Sequence, residues 1–170
     1  MTGFGAGVDI SRLPHNVNHA CHAMSYNERR SIFPLTRFAP GNPAIEEVWF
    51  LGTHSDVGGG YVKRGLADRS LEWMIEAANY YGLPIRNGDI PDDRADHAVS
   101  FNESLGLLTG FAGLLAKGRL SKEREALGND MFHWSVQDER VQLADLKPRL
   151  PQENMIAYTA RSRTPDTMLA

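Results

Sequence analysis

One apolar run in this chain stops abruptly at a histidine and a glycine tract. Residues 48–61 read VWFLGTHSDVGGGY. Four consecutive apolar residues followed by Gly52 are typical of a strand that is covered on both faces, as in a parallel sheet. Loops at the carboxyl ends of such strands are where open α/β sheets place their ligands. The segment therefore predicts a buried strand over residues 46–51 that delivers His54 to a functional loop.

A helix is predicted directly after the glycine tract, over residues 68–81. Asp68 or Ser70 can cap its start, Gly82 supplies a left-handed stop, and Pro84 forbids continuation. The local unit is strand, histidine loop and amphipathic helix, which indicates an α/β fold. The predicted apolar face of the helix comprises Leu71, Met74, Ile75, Ala78 and Tyr81.

Composition favours one globular domain. The 170 residues are 42% hydrophobic and 23% charged, which is enough to bury a core. We predict a single domain with a core over about residues 15–150 and an irregular tail over 151–170. The net charge is -3 and no basic tract is longer than Arg29 and Arg30, so small molecules, lipids or proteins are expected as partners rather than nucleic acid.

Cellular location is only partly constrained. The single cysteine, Cys21, cannot form an internal disulfide and leaves the redox compartment open. The sequence has neither a signal-like segment nor an apolar run near the roughly 20 residues of a membrane span, so we predict no signal peptide and no transmembrane segment.

Weaker patterns complete the prediction of secondary structure. Residues 15–30 predict a helix with Val17, Ala20, Cys21 and Met24 facing inward, and prolines and a glycine over 34–43 predict a loop. Residues 84–94 are turn-rich and predict a surface connection. Residues 100–115 have helical spacing interrupted by glycines, and residues 131–136 predict a short strand or a loop segment.

His54 is the leading candidate for chemistry. In a serine hydrolase of the α/β type, the base lies on a loop after a late strand, and its neutral imidazole takes the proton of the nucleophile. An ordinary loop histidine explains the same spacing equally well. Asp56, two residues on, has three candidate roles, namely to orient the loop, to bind a cation or to cap a turn.

Other candidates are weaker. His15, His19 and His22 would share one face of the predicted helix, where they would either bind zinc or form a polar surface. His133 is a second candidate base or a structural residue. Residues 3–7 (GFGAG) follow no strand and lack a lysine, so they do not predict a phosphate loop. No cofactor and no resident metal is predicted.

The nucleophile elbow of an α/β-hydrolase, Gly-x-Ser-x-Gly, does not occur in the sequence. In that fold the nucleophile comes first along the chain, the acid second and the histidine last. We therefore expect the C-terminal portion of an α/β-hydrolase-like sheet, with few parallel strands flanked by helices and an incomplete sheet. Such a portion should expose a sheet edge and an apolar face, which favour aggregation or self-association.

Two long segments carry a family resemblance, namely residues 22–33 (HAMSYNERRSIF) and, more strongly, residues 48–61. Both resemble the uncharacterised α/β-hydrolase domain family that includes the phospholipase effectors of bacterial type VI secretion systems. Residues 70–77 and 132–136 continue the resemblance, so it covers about residues 15–150.

The resemblance implies a Ser-Asp-His triad that cleaves phospholipid esters, with His54 as general base. The family's serine elbow and acidic residue would lie before Met1. The expected partners are a lipid or ester substrate and either the N-terminal hydrolase half or secretion-system proteins. A homo-oligomer is an alternative. Synthesis in the cytoplasm, followed by export through a type VI secretion system, is the corresponding expectation for location.

Two functions from different classes follow. The first is a partial serine hydrolase that supplies the histidine loop and is inactive alone, since triad members act as a unit. The second is a non-catalytic, hydrolase-derived binding module. Metal-dependent hydrolysis through the histidine cluster is a third and weaker alternative. The upstream coding sequence separates the first two, because only the first requires a Gly-x-Ser-x-Gly segment there.

Overall fold

Three parallel strands organise the part of the chain that the structure describes. This structure is a computed structural model and describes residues 12–30, 33–85, 124–127 and 130–137. The strands are β1 (Ala20–Ser25), β2 (Ile45–Phe50) and β3 (Met131–Phe132), in the order β1-β2-β3. The helices are α1 (His54–Gly58), α2 (Gly65–Tyr80) and a 3-10 helix at Trp134–Gln137. The α/β class, with few parallel strands and flanking helices, is confirmed.

Strand β2 is the centre of this sheet and is buried on both faces. Val48 and Phe50 pack with residues of α1 and α2 on one face, and Trp49 packs against β1 and β3 on the other. All three are almost fully excluded from solvent. The predicted strand over 46–51 is confirmed with its bounds moved by one residue. Its apolar run without polar alternation is typical of a strand that is covered on both faces.

The helix predicted over residues 15–30 is wrong, because β1 occupies this segment. The strand pairs in parallel with β2 along its whole length, from Ala20 opposite Ile45 to Ser25 opposite Phe50. Cys21 and Ala23 pack on one face of the sheet and Met24 on the other, which is the two-residue period of a strand. Alanine and methionine favour helices locally, but pairing with a buried neighbour overrides that preference.

Helix α2 buries a different face from the one predicted. Trp73 is 1% exposed against the sheet, whereas Leu71 and Met74 are 43% and 41% exposed. The buried face includes Ser70, whose hydroxyl donates to the carbonyl of Val57 on α1. A polar residue on the buried face led to the wrong choice of face, since sequence periodicity assigns serine to the outside of a helix.

The end of α2 follows the prediction, and its start does not. Gly82 has a φ of +87°, and the amide of Leu83 donates to the carbonyl of Ala78 at 2.8 Å, which is a Schellman arrangement. The helix begins three residues before the predicted position, at Gly65, and neither Asp68 nor Ser70 is its N-cap. Gly82 is therefore confirmed as the left-handed stop.

A buried polar network ties the loop before β2 to β2 and β3. The carboxylate of Asp130 accepts from the indole nitrogen of Trp49 at 2.8 Å, the guanidinium of Arg37 at 3.0 Å and the amide of Leu127 at 2.8 Å. Burial alone would raise the pKa of Asp130, but these donors and the Arg37 charge lower it. Arg37 also binds Glu47 of β2. The network fixes the position of β3 against the central strand.

Several predictions concern residues outside the described ranges. They are the glycine-rich segment 3–7, most of the connection over 84–94, the helical pattern over 100–115 and the tail over 151–170. The apolar segment 131–136 is described, and it combines the two-residue strand β3 with the start of the 3-10 helix. Among the described helices, none is long and apolar enough to cross a bilayer.

Candidate functional site

His54 lies at the carboxyl end of the central strand, as predicted, but it opens a short helix rather than lying within a loop. It is the first residue of α1, whose N-cap is Thr53. Its side chain is exposed and lines two cavities. The positive φ angles of Gly59 (+84°) and Gly60 (+120°) then turn the chain toward α2. The predicted position at the end of a buried strand is therefore observed.

Gly52 makes the turn between β2 and α1. Its φ is +115°, a conformation that side chains with a Cβ rarely adopt. A Cβ built at this position would lie 2.5 Å from the Cβ of Asp56, well inside van der Waals contact. The turn that carries His54 therefore requires glycine for two independent reasons.

Asp56 caps that turn through hydrogen bonds to Thr53. It is 2% exposed, and its Oδ2 accepts from the amide of Thr53 at 2.9 Å and from the hydroxyl of Thr53 at 2.8 Å. These contacts complete a capping box at the start of α1. Asp56 thus holds the residue that immediately precedes His54.

Asn27 joins the end of β1 to the same turn. Its backbone amide donates to the carbonyl of Gly52 at 3.0 Å, and its side-chain Oδ1 accepts from the backbone amide of Gly52 at 2.8 Å. This reciprocal pair extends the parallel pairing past the ends of both strands. The position of His54 is consequently fixed relative to β1 as well as β2.

Glu28 is the residue near His54 whose role the sequence did not reveal. It is 1% exposed, and its Oε2 accepts from the amide of His54 at 3.1 Å. Arg30 donates to the same carboxylate from Nη2 at 2.7 Å, from Nε at 2.9 Å and from its amide at 2.9 Å. Burial by itself would raise the pKa of Glu28, but the hydrogen bonds from Arg30 and His54, with the Arg30 charge, lower it to about 2. The carboxylate is therefore ionised at neutral pH.

Phe33 supplies an aromatic surface for the imidazole. The rings of Phe33 and His54 stack with centroids 5.1 Å apart and planes inclined by 23°. The guanidinium carbon of Arg30 lies 4.2 Å from the centroid of the same Phe33 ring. Glu28, Arg30, Phe33 and His54 thus form a closed set of contacts. In the sequence, Phe33 stood out only as part of the family pattern over residues 22–33.

The two cavities meet at His54. One of about 500 Å³ lies between β1 and α2, and apolar side chains, among them Leu71 and Met74, form much of its lining. The other, of about 340 Å³, is lined by Phe33 and by Arg124, whose guanidinium donates to the carbonyls of Ser25 at 2.6 Å and Phe33 at 2.8 Å. Burial lowers the pKa of Arg124. His54 is therefore accessible from both sides.

The three histidines considered as a zinc site do not share a helical face, because β1 replaces the predicted helix. His22 pairs with Glu47 at 3.1 Å, His19 stacks on Tyr81 at 3.9 Å, and His15 is exposed. Within the described ranges, no group of three or more histidine, cysteine or acidic residues is arranged to hold a metal ion. The basis of the zinc hypothesis was therefore wrong.

His133, the second candidate base, is a buried residue of the core. Its ring stacks on Phe50 at 4.6 Å, and its Nδ1 lies 2.8 Å from the hydroxyl of Ser135. Burial, with the charge of Arg69, lowers its pKa to about 4. It lines neither of the cavities that His54 lines. The geometry gives His133 a structural position.

The pKa of His133 predicts a loss of stability in mild acid. The unfolded chain binds a proton at this residue below its ordinary value of 6.5, whereas the folded chain resists protonation until about 4. Protons therefore favour unfolding in this window, and the free energy of unfolding should fall by about 2 kcal/mol between pH 7 and pH 5. Urea denaturation should show this fall in the wild type and in the control variant His15→Phe. It should be absent from His133→Phe. An equal fall in His133→Phe would assign the acid sensitivity to another group.

Comparison with known proteins finds one family that matches part of the chain. Residues 7–77 match the family model described as "T6SS, Phospholipase effector Tle1-like, catalytic domain". This is the family that residues 22–33 and 48–61 resemble, and the matched segment covers less than half of the chain. The match contains β1, β2, α1 and most of α2, and hence Glu28, Phe33, Gly52 and His54.

Other similarities are limited. Over 60 residues the chain is 35% identical to the uncharacterised protein YEL023C of Saccharomyces cerevisiae. The matched segment covers 32% of this chain and 9% of the yeast protein, so the chain spans a small fraction of that relative's length. No solved structure matches the chain.

Proposed function

We propose that this chain is the base-supplying part of a serine-dependent phospholipid esterase, with His54 as the general base. The observation that carries the proposal is the position of His54. It stands exposed at the carboxyl end of the central parallel strand, between two cavities, within the segment that matches a phospholipase catalytic-domain family. Open α/β sheets place their reactive groups at this end of the strands.

The proposed chemistry is acyl transfer in two steps. The neutral imidazole takes the proton of a serine hydroxyl as the serine oxygen attacks the ester carbonyl, and it then gives that proton to the departing alcohol. In the second step the imidazole takes a proton from water as the water oxygen attacks the acyl-enzyme, and it returns that proton to the serine oxygen as the bond to the acyl group breaks and the fatty acid leaves. An acidic residue on the other imidazole nitrogen holds the ring in the correct tautomer.

The serine and the acid of this scheme would come from polypeptide outside these 170 residues. The sequence contains no Gly-x-Ser-x-Gly segment that could present the serine. Within the chain, Asp56 and Asn27 stabilise the turn, since they bind Thr53 and Gly52 directly before His54. Asp56 is then a loop-orienting residue rather than a reacting one.

The polypeptide with the serine would dock along β1 and the adjacent face of α2. Among the described strands, β1 lies at one end of the sheet order, with β2 on its inner side. Leu71 and Met74 stand exposed over the cavity next to it. A parallel strand and a covering helix would bury these apolar groups. Export through a type VI secretion system belongs to the same proposal.

The purified chain is expected not to hydrolyse a fluorogenic phospholipid above the buffer rate, because an imidazole without its nucleophile lacks the unit that triads require. Co-expression with a polypeptide that carries Gly-x-Ser-x-Gly, taken from the upstream coding sequence, should restore hydrolysis. Turnover by the isolated chain that depends on His54 would instead locate the nucleophile among these 170 residues and contradict the division proposed here.

A non-catalytic module is the second candidate. The missing elbow and the exposed Leu71 and Met74 favour it, since both fit a domain that binds without reacting. Sizing chromatography with the upstream polypeptide, followed by the same assay on the isolated complex, separates the two functions. A stable complex that leaves the phospholipid intact supports the module, and a complex that hydrolyses it supports the esterase. If the chain alone elutes as a stable monomer without aggregation, this would count against a partner that covers β1 and the exposed face of α2.

A further inference from the structure

We propose that Glu28 is a positioning residue for His54 and that Arg30 and Phe33 act with it. In this arrangement the Glu28 carboxylate binds the His54 amide, Arg30 holds the carboxylate, and Phe33 supports the imidazole ring. The inference rests on the proposed function of His54 as a base and deepens it. It also gives a physical role to Glu28, Arg30 and Phe33, which the proposed function alone leaves unexplained.

The Glu28 carboxylate is buried, and its burial has a cost in free energy. An ionised carboxylate removed from water is strongly unfavourable unless it is paired and hydrogen-bonded. Glu28 meets this cost with three contacts from Arg30 and one from the His54 amide. Charge-assisted hydrogen bonds of this kind are roughly twice as strong as neutral ones. The backbone at His54 is therefore tied to a fixed, buried anchor 26 residues earlier in the chain.

The orientation of the imidazole depends on Phe33. The ring is exposed, and among the described residues no hydrogen bond reaches its nitrogens, so its stacking on Phe33 is the contact that restricts its rotation. Arg30 contacts the same Phe33 ring while it binds Glu28. A general base must be held within about 0.5 Å of its productive position. The contacts to the backbone and to the ring restrict the position of the base before any partner binds.

A second buried carboxylate, Glu47, distinguishes a positioning role from a purely stabilising one. Glu47 on β2 is also a largely buried carboxylate that binds an arginine, Arg37, through two nitrogens. It stabilises the same sheet but contacts neither His54 nor Phe33. Glu47→Gln is therefore a matched control for Glu28→Gln, because each variant neutralises one carboxylate paired with arginine.

The test is nuclear magnetic resonance of the full 170-residue chain with isotope-labelled histidine, in which His54→Gln assigns the His54 signals. Glu28→Gln should increase hydrogen exchange of the His54 amide by about tenfold or more, because a charge-assisted bond to it is weakened. It should also shift the His54 ring resonances. Glu47→Gln should leave both readouts at wild-type values. Phe33→Leu should remove the ring-current shift of His54 and keep its amide protected.

The outcomes are decisive in each direction. If Glu28→Gln lowers stability as much as Glu47→Gln but leaves the amide and ring signals of His54 unchanged, the positioning role is overturned. Phe33→Leu gives an independent result if Glu28→Gln does not fold, and unchanged ring shifts in that variant would also overturn the role. Failure of the proposed function would give a different result. The His54 signals would respond to the variants as described, but the complete enzyme would hydrolyse phospholipid without His54.

Discussion

Gly52→Ala is expected to lower the free energy of unfolding by more than about 3 kcal/mol, among the largest effects of any single substitution here. Alanine at a φ of +115° is strained, and its Cβ would lie 2.5 Å from the Cβ of Asp56. The obstructing atom adjoins the backbone of α1 and has no rotamer that relieves the contact. Asp56 would have to move, which breaks its bonds to Thr53 and releases the turn that carries His54.

Gly41→Ala is the matched control for this substitution. Gly41 also has a positive φ, +93°, but no atom lies within 4 Å of the position its Cβ would take. Conformational strain alone should cost about 1–2 kcal/mol there. Urea denaturation of both variants measures the difference. Equal losses of stability in the two would show that Gly52 is needed only for its backbone angle and that α1 is not packed closely beneath it.

The sequence was sufficient to predict the central strand and the place of His54. The run from Val48 to Leu51 has no polar alternation, and its short length, its aromatic residues and the glycine after it favour a strand covered on both faces. Gly82 was likewise predictable, because a glycine and then a proline after a helical segment satisfy a local geometric rule. In each case the physical cause lies within a few residues.

The errors concern features whose cause is distant in sequence. Strand β1 was taken for a helix because its ladder partner, β2, lies about 25 residues away and local propensity points to a helix. The buried face of α2 was misplaced because Ser70 looks exposed until its bond to Val57 is known.

Glu28 was missed for a related reason. In the sequence it is one charged residue beside Arg29 and Arg30 near the end of a supposed helix, where charged residues normally face solvent. Its burial and its bond to the His54 amide exist only because β1 and β2 end side by side. One local signal was available. Glu28 and Arg30 are two residues apart, and they follow closely after β1.

His54→Ala is expected to reduce phospholipid hydrolysis by a factor of roughly 10³ or more in the proposed complex with a polypeptide that carries the serine. Without the imidazole the serine proton has no acceptor, and the departing alcohol has no donor. The fold should survive, because the side chain is exposed and its contacts within the described residues are the stacking on Phe33 and a backbone bond.

His22→Ala tests whether any histidine beside the cavities would give the same result. His22 lines both cavities but is bound to Glu47, away from the turn at the end of β2. We expect this variant to keep activity within about tenfold of the wild type, since it removes no proton acceptor from the reaction. Circular dichroism of each complex confirms that activities are compared between folded proteins.

The most direct test of the central claim is the rate of fluorogenic phospholipid hydrolysis by the completed complex with wild-type chain, His54→Ala and His22→Ala at neutral pH. The proposed role of His54 predicts hydrolysis by the wild type and His22→Ala complexes and a rate near background for His54→Ala. Hydrolysis at the wild-type rate by the folded His54→Ala complex would show that His54 is not the base.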